Sequence, residues 1–246
     1  MQDIYSSPFE LTAPIHKVLD YALSHKFKAG VLYLVFLFYF SLPGLSIPLI
    51  EYRGNSVSSL MDQRARESFL FYYPSFSYVD IDNVSPYFLR GVVSMEDGNF
   101  FDHKGVDWKE LKKSMKVNTR RKKFARGGST ITMQLSKNLY FTTNKSFIRK
   151  AKELLVTFRL EKEVSKKAIL ENYVNIIEWG DGVFGIQKAS REYFKKDADE
   201  LNLNEASRLA AVIPSPLKYK PNTNSGYVTR RASMIRARYS DVTLDF

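Results

Sequence analysis

Three short segments hold the residues best suited to chemistry in this chain: Glu96 to Gly105, Arg126 to Asn138, and Arg149 to Glu153. Glu96 falls on the apolar stripe of Leu89, Val92 and Val93, at the end of the helix that this stripe predicts. An apolar face and the negative end of a helix both disfavour a charged carboxylate, which lifts its pKa toward that of a general base. A buried glutamate paired for structure would occupy the same place, and residue type alone does not separate the two. Asp97 reads as a local hydrogen-bonding residue that caps the turn through Gly98. Phe100 and Phe101 read as core. His103 is one of three histidines, and the other two, His16 and His25, lie far upstream. A histidine metal cluster is therefore excluded, and a lone histidine is more often a packing residue than a catalyst.

Arg149 and Glu153 are four residues apart and share one face of a helix. Arg126, Lys137, Lys145, Lys150 and Lys152 add positive charge around this second carboxylate. Such a group could hold a diphosphate, by direct pairing or through a magnesium ion placed by Glu153. The plainer reading is a surface ion pair. Thr130, Gln134 and Asn138 share a helical segment with Ile131, Leu135 and Leu139, where they could position sugar hydroxyls or simply cap and pack. Ser129 lacks a nucleophile's context, since no Gly-x-Ser-x-Gly surrounds it. The chain has no cysteine, which removes disulfides and thiolate metal sites from consideration.

The elements that must position these groups are mostly helical. Ser85-Pro86 predicts an N-cap with proline at the first helical position, and Asp107 with Glu110 predicts a capping box whose helix buries Trp108, Leu111 and Met115. Arg120 to Lys123 and the glycines that follow read as a charged loop. Helical periodicity recurs over roughly 129–139, 147–163, 166–178, 184–195 and 204–213, with no convincing series of strands. Residues 51–83 carry Phe69, Phe71, Tyr72, Tyr73, Phe76 and Tyr78 with few helix signals, and read as a connector near a membrane interface.

Upstream, Ala29 to Ile50 is 22 residues without a charge, long enough as helix to cross a bilayer core, although Pro43, Gly44 and Pro48 break its second half. The leader of 28 residues is long for a signal peptide and no small-x-small cleavage pattern follows, so an uncleaved anchor is expected. Three Lys or Arg flank the run on each side, so the charge count ties, and the nearness of Lys26 and Lys28 favours the N-terminus inside. The net charge of +11 arises wholly after residue 50, where it calls for an anionic partner: a phosphorylated substrate, an acidic membrane face or nucleic acid.

The three segments resemble the peptidoglycan glycosyltransferases, the transglycosylase module of class A penicillin-binding proteins. Glu-Asp-x-x-Phe-x-x-His-x-Gly is complete at Glu96, Asp97, Phe100, His103 and Gly105. Arg-Gly-x-Ser-Thr-Ile-x-x-Gln-x-x-Lys-Asn is complete from Arg126 to Asn138, and Arg-Lys-x-x-Glu stands at Arg149, Lys150 and Glu153. Lys166 to Asn175 and Arg208 to Pro216 look like two further motifs of the family, and the resemblance runs from about 80 to 240. Met133 departs where many members have glutamine, which puts one polar contact in doubt. Within the family, Gly180 to Gly185 and Gly226 to Val228 resemble the monofunctional biosynthetic transglycosylases, which have an N-terminal anchor and no transpeptidase domain.

The resemblance implies a mainly α, lysozyme-like domain over 84–246, preceded by a cytoplasmic tail (1–28), a transmembrane anchor (29–50) and the connector (51–83). It implies polymerisation of lipid II into β-1,4 glycan strands with inversion and release of undecaprenyl diphosphate, on the outer side of the bacterial inner membrane. Glu96 and Glu153 would be catalytic, the latter as a possible magnesium ligand. Asp97, Phe100, His103, Arg126, Ser129, Thr130, Gln134, Lys137, Asn138, Lys145, Arg149 and Lys150 would bind substrate. Partners would be lipid II, the growing chain, the membrane and other cell-wall synthesis proteins, with no nucleic acid. A glycan-cleaving enzyme is the main rival, because it too needs one buried glutamate, but it has no use for a cationic diphosphate site. A membrane-anchored basic module binding anionic lipid or nucleic acid is the non-enzymatic one.

Overall fold

The computed structural model describes residues 20, 24–44, 46–52, 57–68, 74, 77–121, 127–144 and 146–246, with the backbone alone at Arg121. It divides into two units, Met1–Gly44 and Leu45–Phe246. Within the first lies helix α1 (Lys26–Phe40), whose apolar side chains face outward on every side. It ends at Ser41, ahead of Pro43 and Gly44, so the uncharged run is helical only in its first part. Among the described residues no helix is long and apolar enough to cross a membrane. The end of the expected anchor, Pro48–Glu51, is a 3-10 turn of the second unit. Ile47 and Ile50 are buried there, and Asn172 Nδ2 donates to the Ile50 carbonyl at 3.3 Å.

The second unit also reaches back into the expected connector, where α2 (Ser59–Glu67) buries Leu60, Met61 and Ala65. Arg64 of α2 makes a two-pronged contact with Glu178, at 2.8 and 2.9 Å. Phe69, Phe71, Tyr72, Tyr73 and Phe76 lie outside the described residues. Next come α3 (Pro86–Glu96), α4 (Trp108–Arg121), α5 (Ile131–Tyr140), α6 (Phe147–Glu163) and α7 (Lys166–Ile176). A small antiparallel hairpin, β1 (Glu178–Gly180) and β2 (Val183–Phe184), interrupts the helices before α8 (Ile186–Phe194), α9 (Leu203–Val212) and α10 (Gly226–Arg236). The mainly helical expectation holds. The hairpin and α10 were not anticipated, nor was α2.

Side-chain caps explain most of the helix starts. Ser58, Thr130, Ser146, Ser165 and Ser225 each accept a backbone N–H three residues on, and Asn202 forms a full capping box with Glu205. Each such cap contributes about 1 kcal/mol. Ser85 precedes α3 as expected, but its hydroxyl donates to the Leu201 carbonyl instead and ties α3 to the segment before α9. Arg120 and Arg121 belong to α4 and not to a loop. The expected buried face of α4 is corrected as well: Trp108 and Met115 are 63% and 62% exposed, and Ser114 is the buried residue.

Two groups of helices meet around the hairpin. Helix α5 packs on α2, α6 and α7, while α3 packs on α9 and α10. Trp179 of β1 anchors the hairpin to the second group: fully buried, its ring lies 5.8 Å from that of Phe88 on α3, and its Nε1 donates to the Leu209 carbonyl of α9. On α7, Glu171 and Asn175 clamp the extended chain at 78–81. Tyr78 donates to Glu171 Oε1, Ile81 N–H to Oε2, and Asn175 exchanges two hydrogen bonds with the backbone of Val79.

Candidate active site

Glu96 is the last residue of α3 and its side chain is 11% exposed. Its Oε2 accepts from Gln134 Nε2 at 3.0 Å. The Gln134 oxygen accepts in turn from the hydroxyl of Tyr173 on α7 at 3.1 Å; the ionised carboxylate, which can only accept, sets which end of the amide faces it. Glu96 Oε1 lies 3.9 Å from Arg231 Nη2 on α10, close enough for charge attraction and too far for a hydrogen bond. Burial raises the Glu96 pKa above the ordinary carboxylate value. Gln134, Arg231 and Lys137 pull the other way, while Asp97 adds to the rise. Burial also lifts the Tyr173 phenol well above its usual range, so it serves as a hydrogen-bond donor.

The loop after Glu96 is held by the residues that sequence had marked for substrate. Asp97 does not cap its own turn. One of its oxygens meets His103 Nε2 at 2.8 Å and the other accepts from Ile131 N–H, at the start of α5, at 3.0 Å. A carboxylate at a helix N-terminus is favoured by the dipole and by the free N–H groups there. His103 Nδ1 accepts from Gly105 N–H, so the ring proton sits on Nε2, facing Asp97. Thr130 caps α5 and donates to the Gly105 carbonyl at 2.6 Å. Lys166 closes the ring, donating to the His103 carbonyl at 2.8 Å, pairing with Glu161 and lying over the Phe100 ring. Gly105 has φ +90°, and a Cβ there would meet Thr157 Cγ2 at 2.8 Å, so only glycine fits. Phe100, expected to touch substrate, is wholly buried and belongs to the core.

The second half of the site stands on α5 and α6. Glu153 is buried, with Arg149 Nη1 at 2.6 Å from one oxygen and Lys150 Nζ at 2.5 Å from the other. Arg149 Nε also donates to the Asn144 carbonyl. Burial lowers the Lys137 pKa, and its charge is felt by both Glu96 and Glu153, which makes it the electrostatic link between the halves. Asn138 is buried beside it on α5. Arg126 and Lys145 lie outside the described residues. The surroundings of Glu153 do not fit a magnesium ion: both oxygens already face cations, and among the described residues no three acidic or histidine side chains gather.

An open cleft of about 800 Å³ runs past Glu96, Asp97, Ser129, Thr130, Gln134 and, on the far wall, Pro214, Arg231 and Arg238. Glu153 and its cations stand outside that lining. The arrangement presents one near-buried carboxylate to an open cleft, with a cation-saturated carboxylate one helix away.

The transglycosylase family matches residues 65–240, most of the chain. The chain belongs to the transglycosylase family. A biosynthetic peptidoglycan transglycosylase of Dechloromonas aromatica is 41% identical over 161 residues, covering 65% of this chain and 70% of the relative. One from Mannheimia succiniciproducens is 41% identical over 175 residues, covering 71% of each. One from Methylobacillus flagellatus is 40% identical over 167 residues, covering 67% of this chain and 73% of the relative.

In this transglycosylase the fourth and fifth motifs read from sequence serve as scaffold. Lys166, Glu171 and Asn175 make the contacts described above, and Arg208 fastens the loop after α9 through the carbonyls of Pro221 and Thr223. Two residues beside Glu96 were missed as site residues. Tyr173 was noted only as part of a motif. Arg231 stands on α10, whose local signals, the Ser225 cap and the spacing of Val228, Ala232 and Ile235, mark a helix but not its closeness to Glu96.

Proposed function

We propose that this chain is a membrane-associated peptidoglycan glycosyltransferase that polymerises lipid II into β-1,4-linked strands. The observation that carries this reading is Glu96: a carboxylate with raised pKa, one oxygen held by Gln134, on the lining of an open cleft. In that role Glu96 takes the proton from the acceptor 4-hydroxyl as its oxygen forms the new bond to the donor C1. The C1 bond to the diphosphate breaks on the opposite face, its electron pair leaves with the diphosphate, and the α donor becomes a β product by one inversion. Lys137, Arg149 and Lys150 are the described cations suited to the charge that develops on the leaving group, and Glu153 keeps the last two from repelling each other.

Support for the membrane comes from α1, whose 15 residues are apolar after Lys28 and expose their side chains. As helix it rises about 22 Å, short of the roughly 30 Å of a hydrocarbon core, so in our reading the stretch after Phe40 completes the passage. We place the second unit on the outer face of the bacterial inner membrane, beside a substrate whose lipid tail stays in the bilayer.

The test is incubation of the detergent-solubilised protein with labelled lipid II, beside Glu96→Gln, followed by separation of lipid, polymer and fragments. Polymer from the wild type alone supports the reading. Cleavage of preformed glycan without polymer would move the chain to the lytic class.

A further inference from the structure

A carboxyl group must be ionised to act as a base, yet burial is the largest influence on Glu96 and works against its charge. Among the described residues the groups that face it are few. Asp97 follows it in its own chain and is negative; α5 brings the neutral Gln134 and the cation Lys137; α7 brings the neutral Tyr173; α10 brings Arg231. Asp107, Glu110 and Arg238 line the same cleft. Of the two cations that act on Glu96 among the described residues, Lys137 is shared with Glu153, whereas Arg231 borders the cleft beside Glu96.

Arg231 is also held firmly where it stands. Its Nε donates to the Ala211 carbonyl of α9 at 3.0 Å. Its guanidinium lies 5.6 Å from the centre of the Tyr227 ring, and Tyr227 stacks on Tyr219 at 4.0 Å with 9° between planes. Helix α10 itself is pressed onto α3, because a Cβ at Gly91 would come to 3.0 Å of Ile235 Cγ2. This contact is one helical turn from Arg231 along α10 and close to one and a half turns from Glu96 along α3. Backbone, ring stack and helix contact together set the 3.9 Å between guanidinium and carboxylate. At that separation the cation favours the charge on Glu96 while leaving the lone pairs of Oε1 for a hydroxyl.

We propose that Arg231 is a positioning residue for the base: from the C-terminal helix it keeps Glu96 ionised and leaves Oε1 open toward the acceptor in the cleft. This deepens the glycosyltransferase reading and rests on it. It makes the segment from Ala211 to Arg231 part of the active site, with Tyr219 and Tyr227 as its support.

The experiment is a pH profile of kcat/KM on lipid II for the full chain, wild type, Arg231→Gln and Arg231→Lys. Loss of the cation disfavours the carboxylate, so in Arg231→Gln the acid limb moves up by about 1 pH unit and the rate recovers toward wild type at high pH. Arg231→Lys keeps the charge and shows a smaller shift. An equal fall at every pH, or a raised KM with an unmoved limb, overturns the proposal and leaves Arg231 as a wall of the cleft. Circular dichroism of both variants checks that each is folded. Glu96 is also titrated directly by carboxyl ¹³C NMR of the labelled protein, with Glu96→Gln to assign the signal. That titration needs no substrate. If the wild type makes no polymer, the glycosyltransferase reading fails while the effect of Arg231 on Glu96 is still read, and an unshifted Glu96 in Arg231→Gln overturns the proposal alone.

Discussion

The two glutamates of the site are both nearly buried and are treated in opposite ways. Glu96 has one hydrogen bond from a neutral amide and a guanidinium held off at 3.9 Å, and it borders an open cleft. Glu153 has a cation on each oxygen. Cations on both oxygens favour the anion and make it a weak base, whereas a buried carboxylate with a raised pKa is a stronger one. In the mechanism proposed here this contrast separates base from counter-charge without any appeal to residue type, which is identical at the two positions.

The largest effect tests that contrast head-on. Glu96→Gln should lower polymerisation of lipid II by about 10²–10⁴-fold, the usual worth of a general base, and a variant within tenfold of wild type would end the assignment. The same substitution should raise the melting temperature near neutral pH. The folded-state pKa of Glu96 lies above its unfolded value, so the ionised carboxylate costs stability as pH rises through that interval, and the amide avoids the cost. Calorimetry at two pH values reads the sign.

Glu153→Gln is expected to cost about tenfold to a hundredfold in kcat, since Arg149 and Lys150 lose the group that holds them together. Its acid limb should stay where the wild type has it, and a moved limb would transfer the base to Glu153. Tyr173→Phe is a smaller change. Without the hydroxyl the Gln134 oxygen loses its donor and the amide is held less firmly against Glu96, so kcat/KM should fall severalfold with the acid limb moved up, because the bond from Gln134 favours the charged form. Asp97→Asn should leave the chemistry nearly intact and cost about 1–3 kcal/mol of stability, read by denaturant unfolding, because one buried acceptor of the pair to His103 and Ile131 is lost.

The same contrast separates what sequence made legible from what it did not. Helix α6 was read correctly at 147–163 because Ser146 caps it and the apolar spacing is regular. Arg149 and Glu153 share a face of that helix, so their pairing followed from a spacing of four residues. The surroundings of Glu96 come instead from three helices far apart in the chain, and nothing local to Arg231 or Tyr173 shows that they converge on it. Trp108 and Met115 failed as core for a related reason. Periodicity marks an apolar face, but only packing decides whether a partner covers it, and here it covers Ser114. The hairpin was legible in principle from Asp181-Gly182, yet its first strand is buried at every residue and shows no alternation. Helix α2 was hidden in an aromatic-rich stretch whose composition suggested an interface more strongly than Ser58 suggested a cap.

The loop from Asp97 to Gly105 is fastened at both ends to one place, the start of α5, by Asp97 to Ile131 and by Thr130 to Gly105. A strap buckled to a single post has no slack to share. Lengthening it by one residue would have to undo one of the two fastenings, and the penalty would appear at Glu96, which is covalently next to the first. Engineers seeking a place to insert a tag or vary a surface loop should therefore treat this stretch as fixed in length, whatever side chains it carries.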